Sequence, residues 1–257
     1  MHFWRFSAAT DVGLQRNNNE DTYLSSPEFG LWVVADGMGG HAAGEVASAI
    51  VAETIVDEVQ NGASLSNAIQ SSHRQVLTAA ANGEGGQGMG STVVALHSNG
   101  RHYEVAWVGD SRAYLWSPNK QPRLTQLSTD HSYVQMLYQT GAISEEELDT
   151  HPEKNIITQC LGSVELDNVT VDLVDGVWHQ GEKILLCSDG LSDVVNAREI
   201  DEILESKPNT DEAIVELINL ALARGGRDNV TVSLIDGPSP ILIFLQSIRR
   251  SLSKFFS

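Results

Sequence analysis

A chain of 257 residues with 41% apolar content is long enough to bury a sizeable core, so disorder is not expected. Acids outnumber bases by 34 to 16, for a formal charge of −18, which argues against the clustered Lys and Arg that nucleic-acid backbones require. Cys160 and Cys187 lack the spacing of a zinc site or a disulfide scaffold, and neither a signal-peptide pattern nor a run of about 18 apolar residues occurs, so reduced thiols and a cytoplasmic location are expected.

In chain order, residues 31–35 (LWVVA) read as a strand, followed by helices over 44–59 and 65–81. Strands follow at 92–96 (TVVAL) and 103–108 (YEVAWV). Residues 131–175 carry a weaker pattern, with a helix at 132–139 and an acidic patch at 145–149, as in a lid or flap. A strand at 183–187 (KILLC) comes next, with Cys187 inside it. Ile214, Leu217, Ile218, Ala221 and Leu222 form one stripe of a helix over 211–224, capped by Asn209 or Thr210 and ended by Gly225. A last strand covers 230–235 (VTVSLI), and several of these strands look buried on both faces. Residues 1–236 read as one domain and 237–257 as a tail.

That tail is basic and amphipathic. Ile241, Leu245, Ile248, Leu252 and Phe255 recur at helical spacing, with Arg249, Arg250 and Lys254 mostly off the stripe. It is too short to span a bilayer, which leaves packing on its own acidic domain, peripheral contact with an anionic membrane, or an oligomer contact.

The chemistry lies in the acids. Asp36 follows the LWVVA strand and precedes Gly37, and Asp189 stands just past the KILLC strand and precedes Gly190. Carboxylates at apolar strand ends are costly to desolvate unless a hydrogen-bond network or a cation holds them. Asp228 stands just before the last strand, and Glu20, Asp21 and Asp130 are further candidates. Hard oxygen donors without Cys or His pairs select Mg²⁺, Mn²⁺ or Ca²⁺, and the lack of a calcium loop leaves Mg²⁺ or Mn²⁺. A single Asp-Gly is most often a turn; the combination is harder to dismiss. Residues 37–42 (GMGGHA) also match a dinucleotide fingerprint, but Asp36 at the mouth of that turn would repel a pyrophosphate, and no βαβαβ alternation follows.

Seven segments in order, DVGLQRNNNED (11–21), VVADGMGGHAAGE (33–45), GMGST (88–92), VGDSRAY (108–114), DHS (130–132), SDGLSD (188–193) and RDNVT (227–231), give a sequence that resembles the bacterial PP2C-type (PPM) metal-dependent protein serine/threonine phosphatases over about residues 5–236. The resemblance implies an α+β fold with a central antiparallel β-sandwich flanked by helix pairs, four layers in the order αββα. It implies two central Mg²⁺ or Mn²⁺ ions, bridged by Asp36, with the Gly37 carbonyl, Asp189 and Asp228 completing the shell and Glu20 and Asp21 acting directly or through waters. It implies a third, weaker site at Asp130, Asp189 and Asp193, with Asn229 orienting its neighbour and Arg16 binding the substrate phosphate. His151, in the flap segment 133–175, would approach the substrate. Asp110 is taken as structural, pairing with Arg112 or capping a turn. Met38 stands where eukaryotic relatives carry a histidine, so His41, His151 and a metal-held water remain alternatives for the general acid. The implied reaction is hydrolysis of phosphoserine and phosphothreonine in proteins by a bridging water, without a phosphoenzyme. The implied partners are phosphoproteins, including a cognate kinase. The competing readings are a catalytically silent binding module and another two-metal hydrolase.

Overall fold

The computed structural model describes residues 4–39, 43–148 and 150–239. The first strands are β1 (Phe6–Asp11), β2 (Asp21–Ser26) and β3 (Leu31–Met38). Helices α1 (Ala43–Gln60) and α2 (Leu65–Ala81) follow, the second started by Ser64, whose hydroxyl accepts from the Asn67 N–H. Next come the short β4 (Gly90–Ser91), then β5 (Val93–Asn99), β6 (His102–Val108), β7 (Arg112–Trp116) and β8 (Leu124–Gln126). Helix α3 (Tyr133–Gln139) and a 3₁₀ turn at Glu145–Glu147 are the regular parts of the segment leading to β9 (Asp172–Val177). The chain continues through β10 (Lys183–Cys187), α4 (Asp189–Ser192), α5 (Ala197–Ser206), α6 (Thr210–Ala223) and β11 (Val230–Asp236).

The strands form two antiparallel sheets, one ordered β1-β11-β10-β7-β8 and the other β2-β3-β5-β6-β9, with β4 pairing on β3. Alternation along β3 shows how the layers arise. Trp32 and Val34 pack with Val94, Leu96, Leu115, Ile184 and Leu186 between the sheets, whereas Leu31, Val33 and Ala35 pack with Val51, Ile55 and Ile69 of α1 and α2. On the far side Leu185, Cys187, Val232 and Leu234 pack with Ile214 and Leu217 of α6 and with Ile200 and Leu204 of α5. The result is the expected αββα order, with β3, β5, β6, β10 and β11 buried on both faces. Both cysteines are free, with Cys187 buried in β10.

The structure corrects some sequence expectations. Strand β3 does not end before Asp36 but runs through Gly37 and Met38, because those two residues pair with Ser91 and Gly90 of β4. The sequence pattern does not mark strands β1, β2, β4, β7, β8 and β9 or helices α4 and α5. DTYLSS is a strand because it pairs with β3 residue for residue, not because its own pattern is apolar. Helix α5 is short, but it carried a readable start signal in the reciprocal Asn196–Glu199 capping box. The amphipathic pattern of residues 241–257 lies outside the described residues, and no described helix is long and apolar enough to cross a membrane.

Candidate metal centre and cleft

Sheet register builds the centre. Asp21 of β2 stands directly opposite Asp36 of β3, so two carboxylates are set side by side by strand pairing alone. Asp189 enters from the other sheet as the first residue of α4, and Asp228 from the turn before β11. Both Asp-Gly steps need glycine for close approach. A Cβ at Gly37 would lie 2.0 Å from the Gly44 carbonyl oxygen, and one at Gly190 would lie 2.0 Å from that of Asn229. The Gly37 N–H donates to the Glu20 carbonyl at 3.1 Å, which draws Glu20 toward the same corner.

A polar frame holds these groups. The Ser188 hydroxyl donates to Asp21 Oδ2 at 2.7 Å and accepts from the Thr231 N–H at 3.0 Å, tying the two sheets together under the acids. Buried Asn229 accepts from the Glu20 N–H at 2.8 Å and donates to the carbonyls of Val12 and Asn18, each at 2.9 Å, so its one amide orders the whole 12–20 loop. Its own backbone N–H donates to Asp228 Oδ1 at 2.9 Å. Arg16 reaches across and donates from Nη2 to Asp228 Oδ2 at 2.7 Å. The Asp36 backbone is fixed by Thr92, whose N–H donates to the Asp36 carbonyl at 2.8 Å and whose hydroxyl accepts from the Asp36 N–H at 3.3 Å.

The electrostatics are those of anions lacking a counter-charge. Burial, and then the charges of Asp21 and Asp189, push Asp36 well above the usual carboxylate range. Burial, followed by Asp110 and Asp193, does the same to Asp189. Burial pushes Asp21 up to about 6, against the opposing effect of its hydroxyl donors. Glu20 Oε1, Asp21 Oδ1 and Asp189 Oδ1 are buried without a hydrogen-bond partner. Among the described residues no three acidic, histidine or cysteine side chains converge tightly enough to hold an ion unaided. Hard divalent ions of the Mg²⁺ type need fewer, since one or two carboxylates complete their shells with waters and carbonyls. The buried, unpartnered and mutually repelling oxygens therefore fit such ions.

On the Asp189 side the centre opens into a cavity of about 480 Å³, lined by Asp110, Asp130, Asp189 and Asp193 and by Val134, Lys154 and Asn155 of the 133–171 segment. Lys154 Nζ lies 3.0 Å from Asp193 Oδ2. Here the structure departs from the sequence reading. Arg112 does not pair with Asp110 but donates from Nε and Nη2 to both oxygens of Asp130, at 2.7–3.1 Å, and Gln126 donates to Asp130 as well. Asp110 has instead a carboxyl pushed up to about 6 by burial and by the charge of Asp130, and it faces the cavity with Asp189 and Asp193. Its place in the VGDS turn gave no hint of this. His151 does not line the cavity; it sits in a local turn, its Nδ1 accepting from the Glu153 N–H at 3.1 Å. His41 lies outside the described residues.

Comparison with known proteins agrees with this architecture. The Mycobacterium tuberculosis serine/threonine protein phosphatase PstP is 37% identical over 238 residues, which cover 90% of this chain and 45% of that protein, so the chain spans about half of PstP's length. The serine/threonine phosphatase stp of Listeria welshimeri is 37% identical over 243 residues, covering 88% of this chain and 93% of that protein. Among solved structures, the catalytic domain of PstP in complex with two manganese ions superposes with a TM-score of 0.78 at 35% identity, covering 91% of this chain and 97% of that one. The sequence pattern of the Protein phosphatase 2C family matches residues 15–229, and the chain belongs to that family.

Proposed function

We propose that this chain is a metal-dependent protein serine/threonine phosphatase that hydrolyses phosphoserine and phosphothreonine without a phosphoenzyme. The observation that carries the reading is the cluster of buried, unpartnered carboxylate oxygens of Glu20, Asp21 and Asp189 around Asp36, a charge density that two divalent cations would neutralise. The PstP catalytic domain with two manganese ions supports the choice of Mn²⁺ or Mg²⁺. In this reading Asp36, the Gly37 carbonyl, Asp189 and Asp228 would hold the ions, with Glu20 and Asp21 contributing directly or through waters. The ions, when bound, supply a water acidic enough to lose its proton near neutral pH and polarise the phosphoryl oxygens for in-line displacement.

The remaining work falls to the chain. Arg16, half exposed with its guanidinium on Asp228, would bind the substrate phosphate, and its planar fork suits two phosphate oxygens. Ser188, Thr231 and Asn229 keep the acids from swinging apart. For a third, weaker cation the cavity offers Asp189 and Asp193, and the bonding of Asp130 to Arg112 favours Asp110 over Asp130 as their companion. Residues 1–236 act as one catalytic domain, with the segment beginning at residue 133 as a flap over the cavity.

The substrates are phosphoproteins, a cognate Ser/Thr kinase among them, and the acidic surface is ill suited to nucleic acid. The basic, apolar composition of residues 241–257 supports peripheral contact with an anionic membrane, which co-sedimentation of the full chain with anionic vesicles at low salt would test. Phosphate release from a phosphothreonine peptide in Mn²⁺, with a nucleotide and a phosphodiester in parallel, tests the enzymatic reading. Hydrolysis of the peptide alone supports it, preference for either of the others points to another two-metal hydrolase, and hydrolysis of none to a binding module.

A further inference from the structure

Helix α2 carries a fully buried histidine that the centre does not use. His73 is 0% exposed, and both ring nitrogens are engaged. The Gly162 N–H donates to Nδ1 at 3.0 Å, so Nδ1 carries the lone pair and the proton sits on Nε2, which donates to the Leu166 carbonyl at 3.0 Å. The imidazole thus reads one donor and one acceptor of the limb by which the 133–171 segment returns to β9. Gln70, one turn earlier, donates to the Val169 carbonyl of the same limb. Val76, one turn later, is pressed so closely against Gly162 that a Cβ there would lie 2.4 Å from its Cγ1. Residues 70, 73 and 76 form one face of the helix, and that face grips the limb from 162 to 169.

What the limb controls follows from its neighbours. Leu161, buried and adjacent to Gly162, exchanges backbone hydrogen bonds with Ser91 at 2.8 and 3.0 Å. Ser91 pairs in turn with Gly37. The same segment supplies Val134, Lys154 and Asn155 to the cavity wall. Asp36 has a second anchor in Thr92, besides the Ser91 hydroxyl, which donates to the Asp36 carbonyl at 3.0 Å. Loosening the limb should therefore act first on the cavity wall, while the two Thr92 bonds still hold the Asp36 backbone.

We propose that His73 is a positioning residue for substrate selection, its neutral imidazole clamping the returning limb of the flap segment to α2 so that the cavity wall is held in the shape a phosphopeptide requires. The inference rests on the phosphatase reading, and its test separates the two.

Three variants, His73→Leu, His73→Asn and Gln70→Met, are compared with the full-length chain in Mn²⁺ on a phosphothreonine peptide and on p-nitrophenyl phosphate. Proteolytic nicking within residues 140–156 and Tm are followed in parallel. His73→Leu should lower kcat/KM for the peptide about tenfold, mainly through KM, with p-nitrophenyl phosphate turnover within about twofold of the parent and with faster nicking. His73→Asn, whose side-chain oxygen stands where Nδ1 stands, should recover most of the peptide activity. Gln70→Met, which loses a single contact, should show the same split in weaker form and decides the matter if His73→Leu does not fold. Parallel loss on both substrates, an unchanged peptide KM, or an Asn variant no better than Leu would overturn the proposal. If the parent hydrolyses neither substrate, the phosphatase reading fails, and the nicking rates alone then decide whether His73 clamps the limb.

Discussion

Arg16 and Asp228 are joined by a hydrogen bond of 2.7 Å between groups 212 residues apart, with their side chains 48% and 37% exposed. The residue proposed to capture phosphate thus rests on one proposed to hold metal. In solvent such a pair is weak, and it is easily exchanged for a ligand that offers the guanidinium two oxygens. Replacing Arg16 with Ala should raise KM for phosphopeptides by an amount matching a loss of about 1.5–3 kcal/mol, with a smaller change in kcat. Arg16→Lys should restore only part of this, since an ammonium lacks the fork. Steady-state kinetics on one phosphopeptide would show it, and an unchanged KM would remove Arg16 from substrate binding.

Asn229 holds three separate backbone groups of the 12–20 loop, and no alanine could replace it. Asn229→Ala should cost about 1–3 kcal/mol of stability through unpaired buried groups and should raise the Mn²⁺ concentration needed for half-maximal activity, because Glu20 and Arg16 lose their common anchor. Denaturant unfolding and a metal titration measure the two effects. A stability loss with an unchanged metal requirement would reduce Asn229 to a purely structural role.

The sign of the pH dependence is fixed by burial. Asp21 and Asp110 are each pushed up to about 6 in the folded chain, against 3.8 in an unfolded one, so the folded state holds more protons across that interval. Their contribution to stability is present below about pH 4 and is lost as pH rises through about 6. Chelator-treated protein should therefore melt at a lower temperature at pH 7 than at pH 5, and the Tm gain on adding Mn²⁺ should be larger at pH 7. A metal-free protein more stable at pH 7 than at pH 5 would contradict this account of the centre.

How much of this was legible in the sequence depended on where the cause lay. LWVVA, KILLC and VTVSLI announce themselves because both their faces are buried, and the Asp-Gly steps because a charge beside such a strand needs a partner. DTYLSS could not be read as a strand, since its cause is the pairing with β3 that sets Asp21 opposite Asp36. Of the two expectations for Asp110, pairing with Arg112 fails for the same reason. Asp110 is two residues away in sequence, but the carboxylate that Arg112 meets is Asp130, brought back past the β7–β8 hairpin. His73 gave no signal at all, because its two partners belong to a limb about 90 residues downstream.

That exchange of partners separates Asp110 from Asp130 experimentally. Asp110→Asn should raise the stability of the metal-free protein, by removing one of several mutually repelling carboxylates, and should weaken binding at the proposed third cation site. Asp130→Asn should lower stability, because Arg112 loses a partly buried bidentate partner. Both variants should keep the tight pair of ions, as counted by calorimetric titration with Mn²⁺. Loss of the tight pair in either would mean that the cavity and the centre are one site.

Metal-dependent hydrolysis organised by Asp36 is open to a direct assay, phosphate release from a phosphothreonine peptide. The assay is run with Mn²⁺, again after chelation, and a third time after Mn²⁺ is restored, with Asp36→Asn alongside. Activity should vanish with the metal and return with it, and the Asp36→Asn protein should fold but turn over more slowly by orders of magnitude even at saturating Mn²⁺. Activity that survives chelation, or an Asp36→Asn variant within about threefold of the parent, would contradict it.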